Sequence, residues 1–148
     1  MMNSWPHIVK SALNRPSGAR YFRCALQVNP FEYVQRHSKG NTFANEDAYN
    51  NALLDALQDE GIEVIAITDH YRVKSSMRLC DAAKKRGISV FGGFEAVTKD
   101  GVHVLCLFDP THNICKIDRF IGDCGIHDDD DPSPTGTKDI DELLVAWS

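Results

Sequence analysis

Several features are scarce in this chain of 148 residues. No apolar run approaches the roughly 18 residues of a membrane span, and the start, Met1-Met-Asn-Ser-Trp-Pro, lacks the apolar stretch of a secretory signal. Basic residues are outnumbered, 16 Lys and Arg against 21 Asp and Glu, for a formal charge of −5. That balance argues against a general electrostatic grip on nucleic acid, although a bound divalent cation inverts the sign of a site locally. The five cysteines (Cys24, Cys80, Cys106, Cys115 and Cys124) contain no C-x-x-C pair. Structural zinc held by thiols usually shows close-spaced pairs. Three of the five lie inside apolar patterns and read as small buried hydrophobes, and the odd, scattered set implies a reduced, cytoplasmic chain. No glycine-rich nucleotide loop is present, so ATPase activity would need another polypeptide or further sequence. No internal repeat is evident.

What is present is ordinary in amount and informative in order. A hydrophobic content of 43% with 25% charged residues suits one globular domain with a core of useful size. Residues 1–19 read as an irregular arm, and 20–148 as one α/β domain. Tyr21–Val28 reads as a strand stopped by Asn29-Pro30, and 31–44 as loop. A helix follows from Asn45, its cap, with Ala52, Leu53, Ala56 and Leu57 as the buried stripe. Gly61 leads into a strand, Ile62–Ile67, then a helix over about 74–86 ending in Lys84-Lys85-Arg86, which suits the helix dipole. A third strand, Ile88–Phe91, leads to Glu95. Two extended runs within 96–108 meet at Asp100-Gly101, a hairpin signal. Helices over about 113–121 and 139–147 flank a Pro-rich segment, 127–136. Strands alternating with helices imply a mainly parallel sheet with one hairpin. Four strands make about half a barrel, so either the sheet is open and small or the remaining strands come from elsewhere.

The strand ends carry the chemistry. Thr68-Asp69-His70 follows one apolar run and Glu95 ends the next, at the carboxyl ends where α/β folds place their sites. Asp69, His70 and Glu95 are therefore a candidate metal or acid/base site. His103 joins them only under one hairpin register. A three-residue turn, Lys99-Asp100-Gly101, sets Val97 opposite His103 and puts His103 on the face of Glu95; a two-residue turn sets Thr98 opposite and turns His103 away. Read alone, His103 is as well explained as a core histidine, and His37 as a surface residue in a polar loop. His127 with Asp128–Asp131 reads as a solvated charge run, because the spacing and glycine of a calcium loop are missing.

The ordered motifs Gly18-Ala-Arg-Tyr-Phe-Arg, Gly61 to His70, Gly93-Phe-Glu95, Gly101-Val-His103-Val-Leu and Phe108-Asp-Pro110 carry a resemblance. The chain resembles the PHP (polymerase and histidinol phosphatase) family of metal-dependent phosphoesterases, and within it the first module of TrlF-type proteins, which precedes an AAA- or SMC-like ATPase. Phe120-Ile-Gly-Asp-Cys-Gly-Ile126 also resembles the segment that follows there, so the likeness spans 18–147. The resemblance implies a partial, distorted TIM-like β/α barrel with divalent zinc, manganese or iron at its mouth. It implies His70, Glu95 and His103 as metal ligands, Asp69 as the catalytic or orienting carboxylate, a nucleotide or nucleic-acid phosphate ester as substrate, and an ATPase domain or chain as partner. Clustered metals clamp a phosphate and lower the pKa of the attacking water.

One departure is large. Where the family carries Asp-x-His-x-His in its first strand, this chain has Ala25, Gln27 and Asn29, and strand alternation puts the three on one face. The family's closing Asp-x-His motif has no counterpart within the sequence. The leading reading is a phosphoesterase-fold module with a degraded metal site, weak or inactive, that binds or regulates within a PHP–ATPase system. A working phosphoesterase and a truncated product without a role of its own are the competing readings.

Overall fold

The computed structural model describes residues 21–38, 42–127 and 134–147. The expected arm over 1–19 and the acidic run Asp128–Asp131 lie outside them. In chain order the elements are β1 (Cys24–Val28), α1 (Phe31–His37), α2 (Glu46–Asp59), β2 (Val64–His70), a 3-10 turn (Lys74–Ser76) running into α3 (Met77–Lys85), β3 (Ser89–Val97), β4 (His103–Leu107), α4 (Ile114–Asp123) and α5 (Ile140–Ala146). The strands lie in the order β1-β2-β3-β4, the first three parallel and β4 antiparallel to β3. The fold is α/β, with a four-stranded, mostly parallel sheet closed by one hairpin.

The helices bury one face of that sheet in two adjoining clusters. Leu54 of α2 and Leu79 and Ala83 of α3 close over Val28, Ile65, Ile67 and Val90. Ile117 and Ile121 of α4, Cys124 and Leu143 of α5 close over Phe94, Ala96 and Cys106. Leu54, Ile65, Ile67 and Leu79 are wholly buried; each such side chain stabilises the fold by about 1.5–3 kcal/mol relative to exposure. Asn45 caps α2 as expected, accepting from the Ala48 amide at 2.9 Å.

Three local differences from the sequence reading position the site. Residues 31–37 form helix α1, not loop: Pro30 stands at its N-cap, Glu32 lies in its first turn and Arg36 and His37 in its last, which favours the helix dipole. Strands β2 and β3 run further than their apolar stretches, because the parallel ladder continues through Asp69↔Phe94 and His70↔Glu95. A ladder needs backbone, not apolar side chains.

The third difference corrects the expectation that Ala25, Gln27 and Asn29 share a face. Ala25 pairs with Ile65 and Val28 with Ile67, leaving Leu26 and Gln27 opposite Ala66 alone. This irregularity breaks the alternation of β1. Ala25 and Val28, three residues apart, both pack into the cluster beneath α2 and α3.

The hairpin adopts the three-residue turn. Val97 lies opposite His103, Thr98 N–H donates to the Val102 carbonyl at 2.9 Å, and Gly101 has φ +81°. Gly93 lets the two strands approach: a Cβ there would lie 2.2 Å from the Cys106 carbonyl oxygen.

Candidate metal centre

The ladder sets His70 beside Glu95, and β4 returns with Leu105 opposite Glu95 and His103 opposite Val97. Glu95 and His103 therefore point to the same side of the hairpin. Glu95 is 6% exposed. Its Oε2 lies 3.1 Å from His70 Nε2, and its Oε1 lies 2.7 Å from His103 Nδ1. Donor atoms of the three residues lie within 4.8 Å of one another. The His70 side chain is 14% exposed and that of His103 61% exposed, so the cluster is enclosed on one side and open on the other.

The donor set fits a divalent metal. Two imidazoles and a carboxylate suit zinc, manganese or iron. Three protein donors with an open side match sites that keep a position for water or substrate. The β1 positions offer no comparable donors. Ala25, half-buried, packs against the cluster beneath α2 and α3. Gln27 donates its Nε2 to Glu95 Oε2 at 3.0 Å, presenting the N–H end of its amide where the resemblance implies an imidazole. Asn29 supplies a neutral oxygen only.

Asp69, the expected catalytic carboxylate, is in a different environment from its neighbour. It pairs with Phe94 and is wholly buried. Arg36 Nη2 donates to both of its oxygens at 2.6 Å, Ser75 Oγ donates to Oδ2 at 2.9 Å, and the His70 amide donates to Oδ1 at 2.8 Å. Asp69 thus ties α1 and the 3-10 turn to the end of β2. Tyr71 follows with φ +48°, buried, its hydroxyl donating to the Val97 carbonyl at 2.6 Å. Burial pushes its pKa up to about 12.

Arg36, Tyr33, the rim position of His37, and Ser75 escaped the sequence reading. The signal for the first three was Pro30 followed by Glu32 and Arg36 at i,i+4 spacing, a short helix with matched ends. His37 is exposed, as expected of a surface residue. Yet it sits at the rim, its ring 4.4 Å from Tyr33 and 6.3 Å from His70. The His103 ring lies 6.1 Å from that of His70 on its other contact. No helix among the described residues is long and apolar enough to cross a membrane.

No family model and no curated protein matches the chain. A matching solved structure is that of a candidate metal-dependent phosphoesterase from Bifidobacterium adolescentis, 19% identical, with a TM-score of 0.45. The match covers 71% of this chain and 34% of that one. The chain therefore spans about a third of the length of the protein to which it is similar.

Proposed function

We propose that this chain is a PHP-like, phosphoesterase-fold module that holds a single divalent cation on His70, Glu95 and His103 and binds a phosphate ester with weak or no turnover. The observation that carries the reading is the convergence of these three donors within 4.8 Å, with the Gln27 amide occupying one carboxylate oxygen of Glu95. A bound cation would supply Lewis acidity toward a phosphoryl oxygen. Glu95 contributes the counter-charge, His70 the enclosed donor, and His103 the donor nearest solvent. A two-metal clamp needs ions about 3.5–4 Å apart, each with its own ligands. Among the described residues no second such donor group accompanies the first, which is why turnover is expected to be weak. Asp69, already bonded to Arg36, acts by fixing the end of β2 rather than by moving a proton. The cation's identity within the set zinc, manganese and iron, and an ATPase domain or chain as regulatory partner, belong to the same reading and rest on the resemblance.

Metal analysis of the purified chain, followed by hydrolysis of a generic phosphodiester with added manganese, tests it. The expected result is about one cation per chain, lost in His70→Ala, with hydrolysis near the background rate. Rapid hydrolysis abolished by His70→Ala would establish a working phosphoesterase instead. A chain that takes up no metal would overturn both.

A further inference from the structure

Buried polar atoms almost always have hydrogen-bond partners. Three that sit together by register have none among the described residues: Asn29 Oδ1, Thr68 Oγ1 and His70 Nδ1. Val28 pairs with Ile67, so Asn29 and Thr68 are the next neighbours across β1 and β2, with backbones about 4.8 Å apart. Val28 and Ile67 face the helices; Asn29 and Thr68 therefore turn to the opposite face. His70 follows Thr68 by two residues on that face, about 6.7 Å along the strand. Thr68 is wholly buried.

Their chemistry limits what they can hold. Asn29 Oδ1 accepts, the Thr68 hydroxyl donates and accepts, and His70 Nδ1 does one or the other according to its tautomer. No carboxylate is among them, so a second divalent cation would lack a counter-charge. A single water satisfies all three: it has two protons and two lone pairs, and a buried water makes about three hydrogen bonds. Two bonds of ordinary length through one water span about 5.6 Å, which bridges Asn29 and Thr68 across the strands and reaches His70 Nδ1 once its side chain leans about 1 Å back toward Thr68.

We propose that Asn29 and Thr68 hold one buried water against His70 Nδ1 and so fix the plane of the ring with Nε2 facing Glu95. Asn29 and Thr68 are then positioning residues. Water can donate or accept, so its bond to Nδ1 persists whether the ring proton sits on Nε2, toward Glu95, or on Nδ1, as it must when Nε2 binds a cation. Asn29 stands where the resemblance implies an imidazole, and its neutral amide oxygen accepts from the water without adding a metal donor. The water does not depend on the metal reading of His70, Glu95 and His103; its consequence for affinity does.

A high-resolution crystal structure of the metal-free chain tests the water directly. An ordered water within hydrogen-bond distance of all three atoms is expected; direct contact among these side chains with no water between them overturns the inference. Cobalt(II) titration tests the consequence. Thr68→Val keeps the side-chain shape and removes the hydroxyl, and should weaken cobalt binding about 10–100-fold, with Thr68→Ser recovering most of it and circular dichroism unchanged. Equal affinity in the wild type and Thr68→Val would overturn the positioning role. If the wild type bound no cobalt, the metal reading would fail while the crystallographic water still decided this inference.

Discussion

The carboxylate of Asp69 is held by Arg36, Ser75 and the His70 amide, so its charge is matched and its lone pairs are engaged. His70, the next residue, keeps one ring nitrogen toward Glu95 and the other without a partner among the described residues. Two adjacent residues thus divide the work, one bracing the strand end and the other facing the open cluster. Removing Arg36 leaves a wholly buried carboxylate without its cation, a change that costs about 3–5 kcal/mol for a buried pair. The Arg36 side chain is 20% exposed, so the lower end of that range applies. Urea unfolding of Arg36→Ala should show the loss, and Arg36→Ala with Asp69→Asn should recover part of it. A single variant as stable as the wild type would mean that Ser75 and the His70 amide hold the carboxylate without Arg36.

At the scale of elements, the hairpin delivers His103 and Gly93 makes the hairpin possible. A methyl at residue 93 would stand 2.2 Å from the Cys106 carbonyl oxygen, and backbone cannot yield as a flexible side chain can. Gly93→Ala should push β4 away from β3 and destabilise the chain by about 1–3 kcal/mol. A smaller coupling between His103 and Glu95, read as a shift of the His103 ring resonances, should accompany it. Unchanged resonances and stability would show that the strands relax without cost.

The sequence made this hairpin legible down to a choice of two registers, since Asp100-Gly101 marks the turn but not its length. It made α2 legible through its apolar stripe and the Asn45 cap, and α3 through the basic end Lys84-Lys85-Arg86, all of them local signals. It left α1 hidden because seven residues carry only two turns of pattern, and Phe31 alone of them is buried. Among the expected site residues, the meeting of His70 with Glu95 followed from two strands ending at one rim. The capture of Asp69 by Arg36 did not, since it depends on a helix whose presence was unread. The irregularity in β1 was equally invisible: Cys24-Ala-Leu-Gln-Val28 carries no glycine or proline to announce a break in alternation.

Across the whole molecule, the helix-covered face is apolar and the other carries the polar cluster together with Leu105 and Leu107, both exposed. The cluster beneath α4 and α5 also holds three weak acids. Burial pushes Cys106 and Tyr71 up to about 12 and Cys124 up to about 11, from ordinary values of 9.0 for the thiols and 10.0 for the phenol. The unfolded chain therefore releases these protons at lower pH than the folded one. Their contribution to stability is complete below about pH 9 and is lost progressively as the pH rises through 11 to 12. Urea midpoints should fall between about pH 8 and about pH 10.5, and Cys106→Ala with Cys124→Ala should flatten that fall. A midpoint constant over that interval would show that the groups ionise in place.

The break in the alternation of β1 also bears on whether the departure at Ala25, Gln27 and Asn29 is reversible. Three substitutions, to Asp, His and His, would reproduce the motif of the family that the sequence resembles, but not side chains sharing one face. Residue 25 now faces Ile65 and the floor of the cluster beneath α2 and α3. A carboxylate there would be partly desolvated against aliphatic side chains, on the face away from Glu95, at a cost in stability. For the three side chains to share a face, a deletion in β1 would have to come first. A triple variant that melts well below Gln27→His with Asn29→His alone would register this order of events.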